Sequence, residues 1–262
     1  LSQYHVAVRK PVMTSFLDTQ VYSNPAPSTG GTLIIFLLRL LEEGNIQNLK
    51  NSDIVQVMAM TNTARKEVCT DPNQEYQINQ LLEKKTFDGY LKKLQSERME
   101  SDDNLNIPGR GETTHVSVID KDMNCASVTT TNGEGCGYIL PGTGIMLNNM
   151  LGEEDLNPLG FHKWSHPMRL PTMMSPTIIM KNKQPYILLG SGGSNRIRSA
   201  IVLVILNCMI KGEGLEKAIL APRVHLEGSR LYYEPGLSIN ENDIPDHLSL
   251  HPFEEKNLFF GG

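Results

Sequence analysis

GETTHVSVIDKDMNCASVTTT, residues 111–131, is the stretch whose reading decides the fold. Residues 113–119 alternate as a strand does, residues 120–124 (DKDMN) carry turn chemistry, and residues 125–131 alternate again. The pattern predicts a β-hairpin that opens on Thr113 and closes on Thr131. A threonine hydroxyl is a poor nucleophile unless a base stands beside it. One solution makes the threonine the first residue of a chain, so that its own α-amine accepts the proton. That requires a cut between Glu112 and Thr113. Residues 97–112 are charged and turn-rich (SDDN, then PGRGE), without periodic apolar positions, and read as an exposed segment suited to such a cut. Thr113 would then end a rigid strand, a good mount for a reacting group. A threonine at a strand start is usually structural, so this signal needs company.

Downstream, residues 187–196 (ILLGSGGSNR) read as a strand, a loop of small residues and a helix start. Small residues let backbone N–H groups face a ligand, and a helix start favours negative charge. The loop, with Gly192 as a substrate-binding position, fits an oxyanion hole for acyl transfer or an anion cradle. Nucleotide binding is disfavoured: Asn195 stands where the dinucleotide pattern needs glycine, and no Gly-Lys-Ser/Thr follows. A tight structural turn is the plain alternative. In RLPTMMSP, residues 169–176, Thr172 and Ser175 offer hydroxyls to a carboxylate, though such residues more often cap turns. Glu153, Glu154 and Asp155 offer negative charge to an amine, though such a run is usually a solvated face. His162 and His166 lack a helical context and a third ligand, which argues against zinc.

Composition narrows the class. Twenty-four Lys and Arg against 29 Asp and Glu give a net charge of −5, so no basic face for nucleic acid or an anionic membrane is expected. The longest apolar run, 197–210, is interrupted by Arg198 and Asn207 and is too short to cross a bilayer. The cysteines at 69, 125, 136 and 208 form no CxxC pair, and the compartment stays open. Cys136, in a Gly-rich loop, is a candidate reactive thiol, but no basic partner is visible and an ordinary thiol is the plainer reading. The chain opens on LSQYH and stops on FFGG, which reads as a piece of a longer protein.

Around these motifs the pattern predicts a strand over 4–8, helices over 32–43, 53–69, 77–95, 196–211 and 215–220, and a short strand at 145–147. It predicts a hairpin of 177–180 with 186–189, and strands over 224–226, 230–234 and 257–260. Strand hairpins mixed with helices indicate a layered α+β fold.

In order and spacing, these segments resemble the γ-glutamyltranspeptidase family. GETTHVSVIDKD (111–122) is similar to the start of that family's small subunit. PGTGIMLNN (141–149), MSPT (174–177), GSGGSNRI (190–197), APR (221–223) and FFGG (259–262) follow as expected, and RKP (9–11) with PAPSTGG (25–31) resembles the end of the large subunit. The resemblance implies an αββα four-layer sandwich of the N-terminal-nucleophile hydrolase type, incomplete at both ends. It divides the chain into residues 1–112, the mainly helical end of the large subunit, and residues 113–262, most of the small subunit, together one domain and a heterodimer after autocleavage. It implies transfer or hydrolysis of γ-glutamyl groups, glutathione being the usual donor and water or an amine the acceptor, with no cofactor.

Residue by residue, Thr113 matches the nucleophile and Thr131 the threonine that supports it. Gly193 and Ser194 match the oxyanion-hole positions, Thr172 the first of two hydroxyls that bind the substrate α-carboxylate, and Asn132 the loop asparagine. The departures are Met173 in place of the second hydroxyl, Glu153 in place of an aspartate that holds the α-amine, and Met150 in place of a glutamine. A related acylase or poly-γ-glutamate depolymerase, an inactive homologue, and an anion- or nucleotide-binding module are the competing expectations.

Overall fold

The computed structural model describes residues 4–45, 49–71, 77–96, 113–153, 156–157, 160–164 and 168–261. Two strands open it, β1 (Val12–Phe16) and β2 (Thr19–Ser23), joined at Leu17-Asp18. Helices α1 (Thr29–Glu43), α2 (Asn51–Val68) and α3 (Lys84–Ser96) follow, with a 3₁₀ stretch Gln77–Leu82 before the last. The hairpin β3 (Thr113–Ile119) and β4 (Cys125–Thr131) comes next, then β5 (Thr177–Lys181) and β6 (Gln184–Leu189). Helices α4 (Ile197–Met209) and α5 (Leu215–Leu220) lead to β7 (Val224–Glu227), β8 (Arg230–Tyr233) and β9 (Ser249–Pro252). The class is α+β.

β1, β2, β5 and β6 form an antiparallel sheet in that order. Its β5–β6 turn sets Asn182 and Lys183 at φ of 51° and 63°, the backbone a two-residue hairpin of right-handed twist demands. α1 is buried along almost its whole length, and α4 is equally covered, mostly apolar with Arg198, Ser199 and Asn207 as its buried polar positions. α1 lies between the sheet, α2 and α4, and Phe36 on it meets Phe87 and Tyr90 of α3 edge-to-face at 5.8 and 5.6 Å. α2 begins at Asn51, two residues before the predicted start, and the Asp53 carboxylate accepts from Lys50 N at 2.8 Å and so caps the helix from inside its first turn.

Several expectations fail for physical reasons. Residues 4–8 form no strand. Tyr4, Val6 and Val8 stay largely exposed, Tyr4 meeting only the Arg169 guanidinium among the contacts of the described residues, while Phe16 and Val21 of the next hairpin enter the core. Residues 257–260 are a 3₁₀ turn, Leu258–Phe260, because Asn257 Oδ1 caps Phe259 N at 2.9 Å and the two phenylalanines fold onto Tyr232 and Phe253. Residues 145–147 contribute only a single bridge, Ile139 to Met146. β9 escapes the pattern because it is short, ends in proline and pairs parallel to β8. Residues 97–112, expected to be exposed, lie outside the described residues.

Candidate active site

The β3–β4 register sets Thr113 opposite Thr131, and their side chains meet: Thr113 Oγ1 donates to Thr131 Oγ1 at 3.2 Å. Thr131 Oγ1 also accepts from the Gly133 N–H at 3.0 Å, which ties the end of β4 to the turn after it. Two residues along the same face of β3, His115 bonds Thr129 Oγ1 through Nδ1 at 2.8 Å and Ser117 Oγ through Nε2 at 2.9 Å. Burial holds this imidazole below its ordinary pKa, so it is neutral at pH 7. Glu112, on the other side of the expected cut, lies outside the described residues.

The Gly-rich loop lies against this face with matching alternation. A methyl group added at Gly190 would stand 2.1 Å from His115 Nδ1, and one at Gly192 would stand 2.8 Å from the Thr113 carbonyl oxygen and 3.4 Å from its Cβ. Glycine is required at both because β3 fills the space a side chain would take. Gly193 and Ser194 then adopt φ of 110° and 53°, and the Arg196 N–H closes on Gly193 O at 3.0 Å as the chain enters α4. Behind the loop, a Cβ at Gly261 would meet Ser191 Oγ at 2.6 Å and Gly192 O at 2.8 Å, so the residues after the aromatic turn back the loop. Ser127 Oγ reaches the Thr177 and Leu189 carbonyls at 3.5 and 3.4 Å and seats β4 on β5 and β6.

Glu153 and Asn132 come to the same end of the hairpin. A Cβ at Gly133 would lie 2.3 Å from Asn149 Oδ1 and 2.4 Å from Glu153 Oε1. Asn149 N donates to Asn132 O at 3.1 Å, and Asn149 Oδ1 accepts from Glu134 N at 2.8 Å. The glutamate thus sits one turn from Thr131, while Glu154 and Asp155 lie outside the described residues.

Thr172 and Met173 dock on the start of α1. The Thr172 carbonyl receives Thr29 N at 2.9 Å, Gly30 N at 3.3 Å and Ser28 Oγ at 3.1 Å, and Thr172 Oγ1 accepts from Met174 N at 3.1 Å. Ser28, directly before α1, gives its hydroxyl to the Thr172 and Met174 carbonyls and not to the helix. Met173 is 3 % exposed, with Thr29 Oγ1 at 3.5 Å from its sulfur. Ser175 is buried, its hydroxyl donated to Met173 O at 2.7 Å. Of these side chains, only Thr172 stays partly accessible.

Among the described residues no cluster of three His, Cys, Asp or Glu is placed to hold a metal, and no helix is long and apolar enough to cross a membrane. All four cysteines are free, Cys136 being exposed. The sequence reading missed His115. The pairing of positions 113 and 115 on the strand with glycines 190 and 192 on the loop was the available signal, and only the tertiary packing gives it meaning.

Residues 1–249 match the family model described as gamma-glutamyltranspeptidase. The glutathione hydrolase proenzyme of Escherichia coli (strain K12) is 28 % identical over 280 residues, covering 95 % of this chain and 47 % of that protein. The capsule biosynthesis protein CapD proenzyme of Bacillus anthracis is 30 % identical over 270 residues, covering 99 % of this chain and 48 % of that protein. The chain therefore spans about half the length of these relatives. A cephalosporin acylase from Bacillus halodurans superposes on 99 % of this chain and 49 % of its own with a TM-score of 0.75 at 20 % identity, a likeness of fold. With the family match running through the hairpin, the Gly-rich loop and the strands beyond, the chain belongs to the γ-glutamyltranspeptidase family.

Proposed function

We propose that this protein transfers or hydrolyses γ-glutamyl groups of glutathione-type amides through an acyl-enzyme on Thr113, made N-terminal by autocleavage after Glu112. The observation that carries the reading is the meeting of three parts at one point: the Thr113 hydroxyl, the Thr131 hydroxyl 3.2 Å away, and the backbone of Gly192 packed against Thr113. The glutathione hydrolases among the relatives support the substrate class.

In the first step the Thr113 hydroxyl attacks the Glu112 carbonyl carbon. The peptide bond breaks, its nitrogen becomes the Thr113 α-amine, and water opens the resulting ester. In the second, that amine takes the proton as the hydroxyl oxygen attacks the γ-amide carbon. The oxyanion rests on the Gly193 and Ser194 N–H groups. Collapse expels the amine, which takes the proton, and water or an acceptor amine then receives the acyl group. Losing one such donor costs about 3 kcal/mol, on the order of 10² to 10³ in rate. The Glu153 carboxylate beside the Asn132–Gly133 turn is the group assigned to the substrate α-amine, and Thr172 is assigned to its carboxylate.

The same reading makes residues 1–112 and 113–262 the two parts of one processed precursor, within an αββα sandwich. The outward face of the hairpin supports it: Val116, Val118 and Val128 are each about half exposed, an apolar stripe of the kind a further layer covers.

A second reading, a related acylase, is favoured by one observation. With Met173 and Ser175 committed to the core, the second hydroxyl for an α-carboxylate is missing from this segment. The test uses two chromogenic amides, γ-glutamyl p-nitroanilide and its glutaryl analogue without the α-amine. Faster release from the first supports the γ-glutamyl reading, and release from the glutaryl compound alone moves the assignment to the acylase. An uncut protein that releases neither returns the loop to an anion-binding role.

A further inference from the structure

Immediately after the Gly-rich loop, the start of α4 is gripped by a buried polar network that the reaction does not use. Asn195 is 4 % exposed. Its Oδ1 accepts from Arg65 Nη1 of α2 at 3.3 Å, and its Nδ2 donates to Glu227 Oε1 of β7 at 3.0 Å. A guanidinium only donates and a carboxylate only accepts, so these partners fix the orientation of the amide. The other Glu227 oxygen faces His225 Nε2 at 3.5 Å, and His225 Nδ1 meets Ser199 Oγ, one turn beyond Asn195 on α4, at 2.8 Å. Asn62, three residues before Arg65, bonds Arg198 and also donates to Leu226 O at 3.1 Å. Two elements, α2 and β7, thus hold the 3₁₀ turn Ser194–Arg196 at position 195 and the first turn of α4 at positions 198 and 199.

Gly193 and Ser194 sit directly before this turn in left-handed backbone, a conformation that costs free energy for serine and persists only where surroundings impose it. We propose that Asn195 is a positioning residue: its carboxamide, clamped between Arg65 and Glu227, holds the Gly192–Ser194 backbone so that its N–H groups face the developing oxyanion. This rests on the acyl-transfer reading of the loop. The contact has a polarity, amide donor in the turn before α4 and carboxylate acceptor on β7, that a variant pair can exchange. Asn195→Asp sets a second carboxylate against Glu227. Adding Glu227→Gln restores a donor–acceptor pair with the roles reversed and leaves the Arg65 contact to the new carboxylate.

The experiment measures kcat and KM for γ-glutamyl p-nitroanilide, with thermal midpoint and near-UV circular dichroism, in the protein expressed from its complete reading frame. Asn195→Ala and Asn195→Asp are expected to lower kcat by about tenfold to a hundredfold with KM within about twofold of the parent. The Asn195→Asp/Glu227→Gln pair is expected to recover most of the loss. Should Asn195→Asp not fold, the kcat-against-KM split of Asn195→Ala and the activity of the pair decide the matter. Parent-like kcat in Asn195→Ala, or a folded pair no faster than Asn195→Asp, overturns the proposal while the acyl-transfer reading stands. A parent that is cut before Thr113 yet turns over neither chromogenic amide overturns the reading of the loop, and this inference with it.

Discussion

The hydroxyls of Thr113 and Thr131 face each other across the open end of one hairpin, 3.2 Å apart, with the Gly133 N–H as a further donor to Thr131 Oγ1. Such a pair fixes the rotamer of the first by means of the second. Thr131→Val keeps the shape and removes the hydroxyl. It is expected to lower kcat about tenfold, the worth of one hydrogen bond of about 1.4 kcal/mol, with little change in KM. Thr131→Ser is expected to retain most of the activity. Steady-state kinetics on the chromogenic γ-glutamyl amide checks both.

The two glycines that face β3 make separate demands. Gly190→Ala drives a methyl group into the His115 ring and is expected to destabilise the protein by about 1–3 kcal/mol in urea unfolding. Because the clash is with one side chain, combining it with His115→Ala should relieve much of the loss, a non-additivity a double-mutant cycle reads directly. Gly192→Ala meets backbone, the Thr113 carbonyl, and is expected to lower kcat far more than stability.

Met173 carries a prediction opposite to the one its place in the sequence suggests. Its side chain is buried in the core against Thr29, so Met173→Ala should cost about 2–5 kcal/mol of stability and leave KM for the γ-glutamyl amide within about twofold. A large rise in KM without loss of stability would put the side chain at the substrate.

The buried His225 makes stability depend on pH. It is 1 % exposed, and burial is the largest influence on it, outweighing Glu227, while Arg198 and Arg196 also disfavour a charged ring; Ser199 holds its Nδ1. Its pKa in the fold is therefore below the ordinary 6.5, and the neutral form is the folded one. The unfolded chain takes up a proton below 6.5 that the fold refuses, so this contribution is complete above that pH and is lost as pH falls through it. Burial pushes Glu227 up, but the nearby His225, the bond from Asn195 and the nearby Arg198 bring it below its ordinary 4.5, so a second loss begins in that lower range. Unfolding free energy measured between about pH 7 and pH 5 should fall, and His225→Gln should flatten that slope.

The local periodic signals were legible in the residues. The β3–β4 hairpin runs from Thr113 to Thr131 as its alternation predicts, α5 has its predicted ends, and the β5–β6 hairpin turns at Asn182-Lys183. What sequence could not supply depends on partners far along the chain. The first strands occupy 12–23 rather than 4–8 because only the former have β5 to pair with. Residues 257–260 become a turn because an aromatic cluster and an asparagine cap outweigh strand propensity. At the candidate site, Thr113, Thr131, Gly192 and Glu153 were singled out by motif and resemblance, and the fold gathers them at one end of the hairpin. The contacts of His115 with Gly190 and of Asn195 with Glu227 span 75 and 32 positions, and no local pattern announces them.

The most direct test is denaturing intact mass on the protein expressed from its complete reading frame, with N-terminal sequencing of any smaller piece, for the parent and Thr113→Ala. The parent is expected to yield a piece beginning Thr113-Thr114-His115, and Thr113→Ala to stay whole. A parent that remains a single uncut chain on long incubation, or a Thr113→Ala chain cut at the same bond, would contradict the proposed mechanism.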